Sequence, residues 1–206
     1  MPESSVNQPL TQNIVALRST ARRTRSDMPK ATIRRNCQLL TRYFFASRIY
    51  QKSRRIAFYY PVKNEAGSID ILMQSLQDGK ECFLPVINRT SHSMKFIRTG
   101  AGTVLKENAY SIPEPVGLSS MPISHFDAIL IPLLGFDRFG SRIGMGGGYY
   151  DRTLEFTRYD QYYRRPRLIG FAHDNQKQLA ITPQAWDIPL DGIFTESGFK
   201  LFTHYN

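Results

Sequence analysis

The sequence predicts an α/β fold, with a single three-layer αβα domain built around a mostly parallel central sheet. Three observations support this prediction. Apolar runs typical of strands alternate with segments typical of helices along the 206 residues, a length that suits one domain. The run 127–134 is apolar on both faces, as in a central parallel strand covered by helices on both sides. A glycine-rich connection follows this run directly.

The N-terminal region is predicted to be helical after a short polar lead. Residues 1–13 are polar and are expected to form a disordered lead, with the domain spanning 14–206. Apolar spacing predicts a helix over 14–25 and a second helix from Pro29 to about Tyr50. Together these segments make the N-terminal region helical.

The remaining elements alternate. Strands are predicted over 56–60, 82–87, 94–98, 127–134, 167–173 and 192–195, and helices over 69–77, with Ser68 as cap and Gly79 as stop, and over 149–158. Parallel strands direct their carboxyl ends to one edge of a sheet, so the ligand site is expected at that edge, beside the glycine-rich connection.

The positive charge is concentrated near the N-terminus. Of the net charge of +10, all the excess lies before residue 56, where 12 basic residues face 2 acidic ones. Such a surface could meet an anionic ligand, a nucleic acid or solvent. Aromatic residues are not interleaved with this stretch as base stacking would require. We therefore favour a solvated face with a few phosphate-binding arginines, and we do not expect nucleic acid as a partner.

Cysteines and apolar runs narrow the class of protein. Cys37 and Cys82 have no spacing typical of a disulfide framework or a zinc site, and we interpret both as small buried hydrophobes. The N-terminus lacks the pattern of a secretory signal, and the run 128–136 is too short to span a bilayer. The expectation is a cytoplasmic protein, monomeric, with no membrane partner.

The richest segment is 135–152, with the sequence GFDRFGSRIGMGGGYYDR. Its glycines would let backbone amides approach a polyanion, Arg142 can donate two hydrogen bonds to phosphate, and Asp151 can hold the magnesium of a nucleoside triphosphate. The segment matches neither the P-loop nor the dinucleotide-binding pattern. A plain surface turn would explain three successive glycines but not the arginine and aspartates around them.

This segment resembles the signature of the 5-formyltetrahydrofolate cyclo-ligase family, D-x-x-G-x-R-x-G-x-G-x-G-Y-Y-D, which runs here from Asp137 to Asp151 without a departure. The resemblance implies an enzyme that cyclises 5-formyltetrahydrofolate to 5,10-methenyltetrahydrofolate. ATP would be the co-substrate and Mg²⁺ the cofactor, with ADP and phosphate released. Arg142 would be the catalytic residue, because phosphoryl transfer depends on charge stabilisation at the transferring group.

The resemblance extends from Leu17 to Glu196 and implies three groups of ligand contacts. Contacts with ATP are implied for Arg18, Arg22, Arg142, Ile143, Gly144, Met145, Gly146, Gly147, Gly148, Tyr149 and Tyr150. Contacts with the reduced folate are implied for Tyr60, Glu65, Met145, Gly146, Gly147, Gly148 and Tyr149, with Glu65 on the pterin ring. Contacts with magnesium are implied for Asp151 and Asp191.

Two alternatives stay open. The family pattern has a lysine where this chain has Ile14, so a nucleotide-binding paralogue that lost cyclisation would look nearly the same. A nucleic-acid-binding protein would use the basic N-terminal region, with an affinity that falls steeply with salt and needs no ATP.

Overall fold

A computed structural model of the protein describes residues 13–67, 69–117, 119–158 and 166–203. Its helices are α1 (Ile14–Ser26), α2 (Lys30–Ala46), α3 (Arg48–Lys52), α4 (Ile69–Gln77) and α5 (Tyr149–Leu154). Its strands are β1 (Arg55–Ala57), β2 (Glu81–Asn88), β3 (Ser93–Thr99), β4 (Leu105–Glu107), β5 (Pro113–Pro115), β6 (Ala128–Pro132), β7 (Gly135–Phe136), β8 (Arg142–Ile143), β9 (Arg167–Phe171), β10 (Gly192–Thr195) and β11 (Gly198–Leu201).

The main sheet has seven strands in the order β11-β10-β9-β6-β1-β2-β3. The pairs between β2, β1, β6, β9 and β10 are all parallel, whereas β3 and β11 join the two edges antiparallel. Two small hairpins, β4–β5 and β7–β8, lie outside this sheet. The predicted mostly parallel sheet is therefore confirmed.

Side chains of β6 pack into both layers that cover the sheet. Ile129 and Ile131 belong to a buried cluster with Leu154 of α5, and Leu130 belongs to a second cluster with Phe44 of α2 and Ile71 of α4. Alternate residues of a strand point to opposite faces, so an unbroken apolar run is what a strand in this position needs. The predicted α/β fold with helices on both sides is confirmed.

Most predicted elements are present, with shifted ends. The helix expected to reach Tyr50 breaks at Ser47, whose hydroxyl caps α3 by accepting from the Tyr50 amide. The strands expected to reach residues 60, 134 and 173 end at Ala57, Pro132 and Phe171 instead. These ends lie deep in the molecule, so buried apolar residues continue into the loops, and hydrophobicity alone extends a predicted strand too far.

Further differences concern short elements. The helix expected over 149–158 is α5 followed by a 3₁₀ turn from Glu155 to Arg158. Gly79 ends α4 as predicted, in the left-handed conformation at φ 74°. The hairpin strand β11 was missed, because its residues are mostly exposed and carry no apolar run. The proposed cap Ser68 lies outside the described residues.

The N-terminal end of the described chain starts the first helix. Asn13, the last residue of the expected lead, is the N-cap of α1, and its Oδ1 accepts from the amides of Val15 and Ala16. Residues 1–12 lie outside the described residues. Within the described ranges, no helix combines the length and apolarity that crossing a bilayer requires.

Candidate functional site

Three loops meet at the carboxyl edge of the parallel strands. The loop after β1 carries Glu65, the loop after β6 leads into the β7–β8 hairpin, and the loop after β9 carries His173. Helix α1 contacts two of these loops through its arginines. The loops at this edge carry most of the residues predicted for the site. Asp191 is an exception, because it directly precedes β10 and contacts Leu168 at the amino edge of the parallel strands.

The glycine loop, defined as residues 144–148, follows the β7–β8 hairpin and leads into α5. Asp137 fixes the hairpin turn, because its Oδ1 accepts from the amides of Phe139 and Ser141 at 2.9 and 3.0 Å. Gly148 is left-handed at φ 68°, and a Cβ there would lie 2.5 Å from Nη1 of Arg152. Glycine is therefore favoured at this position by its backbone conformation, whereas the flexible Arg152 side chain could move away from a Cβ.

Three arginines surround the loop and donate to its carbonyls. Nε of Arg18 lies 3.2 Å from the Gly144 oxygen, and Nη2 of Arg22 lies 3.1 Å from the Met145 oxygen. Nη1 of Arg152 lies 3.0 Å from the Gly147 oxygen. A guanidinium has five N–H donors, so each of these contacts leaves donors for an anionic ligand. The structure brings the predicted Arg18 and Arg22 to the predicted loop.

Ile14 occupies the position of the family lysine and makes an apolar contact. It packs with Leu17 against the cluster of Ala21, Leu134 and Ile143. This cluster joins α1 to the chain on both sides of the β7–β8 turn. Here α1 is attached to the glycine-loop region by buried side chains and by Arg18 and Arg22, without a lysine at position 14.

Arg142 and Asp151 form an ion pair. Nη2 of Arg142 lies 2.5 Å from Oδ1 of Asp151, and Nη1 donates to the Ile188 carbonyl oxygen. The same Asp151 oxygen accepts from the Ile188 amide at 3.2 Å. The Arg142 side chain is 5% exposed and that of Asp151 is 23% exposed. Two residues expected to serve separately, one for phosphate and one for magnesium, therefore bind each other and the segment before β10.

Asp151 and Asp191 differ as candidate magnesium ligands. Asp191 is buried, and its Oδ2 accepts from the Leu168 amide at 2.8 Å, which holds the chain before β10 against β9. Asp151 keeps part of its carboxylate at the surface. Among the described residues, no group of three or more acidic, histidine or cysteine side chains could hold a metal ion. Magnesium needs only one or two carboxylates when phosphates supply other ligands, so Asp151 fits that role, whereas burial counts against Asp191.

Glu65 lies in a buried ion pair that the sequence did not reveal. Its Oε1 is 3.4 Å from Nη1 of Arg25, and its Oε2 accepts from the Val62 amide at 3.1 Å. The side chains of Arg25 and Glu65 are 3% and 7% exposed. Burial raises the pKa of Glu65 and lowers the pKa of Arg25, and the attraction between them opposes both shifts.

Two tyrosines adjoin this carboxylate. Burial, and next the Glu65 charge, raise the pKa of the Tyr150 hydroxyl, and the same two causes raise the pKa of Tyr59. Tyr150, expected on the nucleotide, is affected by the charges of both Glu65 and Arg142, and Arg142 opposes the rise in its pKa. Tyr60, expected on the folate, is half-buried in the same loop.

The outer side of the site, formed by Met145, Tyr149 and Tyr110, is more exposed than the Glu65 side. Met145 is exposed, and the Tyr149 hydroxyl lies 3.5 Å from that of Tyr110, which is also exposed. The His92 ring lies 5.6 Å from the Tyr149 ring. Tyr110 and His92 were not predicted at the site, because the hairpin segments that carry them are distant in sequence and have no motif.

His173 is a further buried polar residue at this edge. Its Nδ1 lies 3.4 Å from Nδ2 of Asn36, and its Nε2 has no hydrogen-bond partner within the described chain. Burial, and to a smaller degree the Arg25 charge, lower the pKa of His173. No pattern in the sequence marks this histidine as part of the site.

Arg25 was missed although a signal was present. Arg18, Arg22 and Arg25 are spaced by four and three residues, so they share one helix face. Extending the predicted face by one turn would have included Arg25. Its partner Glu65 could not have been deduced this way, because it lies 40 positions away in another loop.

Known proteins similar to this chain come from one enzyme family. The sequence model of the 5-formyltetrahydrofolate cyclo-ligase family matches residues 11–196. The chain is 33% identical over 145 residues to the 5-formyltetrahydrofolate cyclo-ligase of Escherichia coli K12, covering 69% of this chain and 78% of that protein. It is 27% identical over 186 residues to the Haemophilus influenzae protein of the same name, covering 89% and 97%.

A solved structure is similar over nearly the whole length. The 5,10-methenyltetrahydrofolate synthetase of Aquifex aeolicus superimposes with a TM-score of 0.80 at 26% identity, covering 95% of each chain. The fold, the arginine-faced glycine loop and these relatives define the class as an α/β enzyme of the ligase type. Within that class, the chain belongs to the 5-formyltetrahydrofolate cyclo-ligase family.

Proposed function

We propose that this protein catalyses the ATP- and magnesium-dependent cyclisation of 5-formyltetrahydrofolate to 5,10-methenyltetrahydrofolate, with release of ADP and phosphate. One observation carries the proposal. The face of α1 that contacts the glycine loop through Arg18 and Arg22 also contacts Glu65 through Arg25. A nucleotide at the loop and a folate at Glu65 would therefore lie in one cleft, as a reaction between them requires.

The proposed reaction has two steps. The formyl oxygen attacks the γ-phosphate of ATP, and the bond to ADP breaks. Nitrogen 10 of the folate then bonds to the activated formyl carbon and gives up its proton to water or to the leaving phosphate. The bond from that carbon to the phosphorylated oxygen breaks, which releases phosphate. No covalent enzyme intermediate is needed, so the protein contributes positioning and charge stabilisation.

The nucleotide contacts are proposed for the glycine loop and the arginines around it. Arg18 and Arg22 would direct their remaining donors to phosphate oxygens, and the amides of residues 143–150 would line the anion. Arg142 would stabilise charge on the transferring group, which requires its contact with Asp151 to be shared or exchanged. When bound, magnesium neutralises charge on the phosphate oxygens; Asp151 would hold it, with Asp191 as the less suited second candidate.

The folate contacts are proposed for the Glu65 side of the cleft. A carboxylate accepts hydrogen bonds through both oxygens, which matches adjacent N–H groups on a pterin ring. Tyr60, Met145, Gly146, Gly147, Gly148 and Tyr149 would contact the rest of the substrate. Tyr110 extends this surface, because its hydroxyl lies beside that of Tyr149.

Product absorbance tests the proposal. Purified protein is mixed with 5-formyltetrahydrofolate, ATP and Mg²⁺, and methenyltetrahydrofolate is recorded by its ultraviolet absorbance. Product should form in the complete mixture and not when ATP or Mg²⁺ is omitted. Nucleotide binding without product, from folded protein, would favour the paralogue that lost cyclisation. Salt-dependent nucleic-acid binding without ATP binding would favour the other alternative.

The cytoplasmic location and the monomeric state stay predictions. Light scattering on a size-exclusion column tests the second: one peak near the chain mass of 23.7 kDa is expected.

A further inference from the structure

Arg25 connects three parts of the site. It lies on the face of α1 that carries Arg18 and Arg22, and its Nη1 is 3.4 Å from both Oε1 of Glu65 and the carbonyl oxygen of Leu133. Leu133 follows β6 and precedes the glycine hairpin. Arg25 therefore fixes the Glu65 loop relative to the central strand and to the helix beside the glycine loop.

The surroundings of Arg25 do not suit a purely structural role. Its side chain is 3% exposed, and its Nε has no hydrogen-bond partner within the described ranges. A buried donor without a partner costs free energy, and a buried ion pair is often no more stabilising than an apolar pair of similar volume. Such a costly ion pair is better explained by the effect of the Arg25 charge on the ionisation of Glu65.

The charge state of Glu65 decides how it can bind a ring. An ionised carboxyl accepts on both oxygens, whereas a protonated carboxyl presents an O–H donor, which opposes a ring N–H. Burial favours the protonated form, whereas the hydrogen bond from the Val62 amide, then Arg25 and then Lys63 favour the ionised form. The Glu65 charge also acts on the hydroxyls of Tyr59 and Tyr150, and the Arg25 charge acts on His173.

We propose that Arg25 is a positioning residue for the reduced folate, which holds Glu65 in place as a carboxylate. The folate half of this inference, that Arg25 positions the substrate, rests on the proposed function. The Glu65 half, that Arg25 holds Glu65 as a carboxylate, does not, because it concerns a contact within the protein. The two halves can therefore be tested separately.

The first experiment needs no substrate. Carbon-13 NMR follows the carboxyl carbons of glutamate across a pH titration, with Glu65→Gln to assign the Glu65 signal. In Arg25→Met and Arg25→Gln, the pKa of Glu65 should rise above its wild-type value by about one unit or more. Arg25→Lys should keep most of the wild-type pKa, because it keeps the charge. Arg34→Met, which removes an exposed arginine of α2, should change nothing.

The second experiment measures folate binding. Calorimetric titration with 5-formyltetrahydrofolate should show weaker binding to Arg25→Gln than to wild type, by up to about tenfold for each unit by which the pKa of Glu65 rises. The loss should grow as the pH falls and shrink as it rises, because Glu65 regains its charge at higher pH. A merely structural role would give a loss that does not vary with pH. Arg25→Gln keeps N–H donors and bulk, so it serves if Arg25→Met does not fold.

The outcomes separate the two proposals. An unchanged Glu65 pKa in both neutral variants would overturn the inference even if the enzyme is active. A raised pKa with a pH-independent loss of folate affinity would also overturn it. A wild-type protein that binds no reduced folate would contradict the proposed function and the folate half, while the carboxyl titration would still decide whether Arg25 holds Glu65 as a carboxylate.

Discussion

Two arginine–carboxylate pairs lie at the same edge of the sheet, and they differ in depth and in sequence separation. Arg142 and Asp151 are nine positions apart in one motif, and the Asp151 side chain keeps 23% of its surface exposed. Arg25 and Glu65 are 40 positions apart, and both are almost fully buried. If the proposed function is correct, the first pair would exchange its partner for phosphate or a metal ion, whereas the second would hold one carboxylate in one position.

This difference also explains which pair could be anticipated. Each member of the glycine-loop pair was predicted to be functional, because the motif keeps both in one short segment. Their bond to each other was not predicted, since residue types alone favoured separate ligands. In the buried pair, only Glu65 was predicted, and only through the family resemblance.

The largest effect is expected on stability, where the buried pair should differ most from the exposed one. Glu65→Ala leaves the Arg25 charge buried without its partner, so the free energy of unfolding should fall by about 3–5 kcal/mol. Asp151→Ala should cost less, because the Asp151 carboxylate is partly exposed and Arg142 keeps its hydrogen bond to the Ile188 carbonyl oxygen. Urea denaturation of both variants measures the difference. Equal losses of unfolding free energy would show that the two pairs stabilise the fold equally and would contradict this expectation.

The next largest effect is on turnover, where the glycine-loop pair should dominate. Arg142→Ala should slow product formation by about 10²-fold or more if Arg142 stabilises the transferring phosphate. Arg142→Lys should restore little, because a point charge does not reproduce the planar fork. Steady-state rates with saturating ATP measure this. Wild-type rates in both variants would remove Arg142 from the reaction.

A smaller effect is expected on ligand affinity, and it distinguishes the buried pair from the glycine-loop pair. Glu65→Gln should weaken folate binding by about 1.5–3 kcal/mol, roughly 10- to 150-fold, because an amide brings an N–H donor against a donor edge. Glu65→Ala should lose about as much, and ATP affinity should stay near wild type in both. Calorimetric titration of each variant with 5-formyltetrahydrofolate and with ATP measures both affinities. A loss of ATP affinity with intact folate affinity would put the folate elsewhere.

The smallest effect concerns pH and His173, which lies on the Arg25 side of the site. The pKa of His173 is lowered in the folded state. Between the folded and unfolded pKa values, the unfolded chain therefore binds a proton at this histidine and the folded chain does not. Stability from this histidine is therefore complete above its unfolded pKa of about 6.5 and falls below it, by at most about 1.4 kcal/mol per pH unit. Unfolding free energies between pH 7 and 5 should fall less steeply for His173→Gln than for wild type. Exposed His125→Gln serves as the control and should keep the wild-type slope.

The sequence by itself determined the fold class, the order of the main elements and the glycine loop with Arg18 and Arg22. The fold class and element order follow from apolar periodicity, and the glycine loop follows from a motif whose residues are neighbours in the chain. Arg18 and Arg22 follow from the family resemblance. The tertiary structure decided the strand ends, the antiparallel edges, the bond between Arg142 and Asp151, and the burial of Asp191. It alone brought Arg25 to Glu65, Tyr150 close to the same carboxylate and Tyr110 to Tyr149. The physical reason is that local sequence fixes backbone preference and charge, whereas burial and partnership depend on which distant segments meet at the carboxyl edge of the sheet.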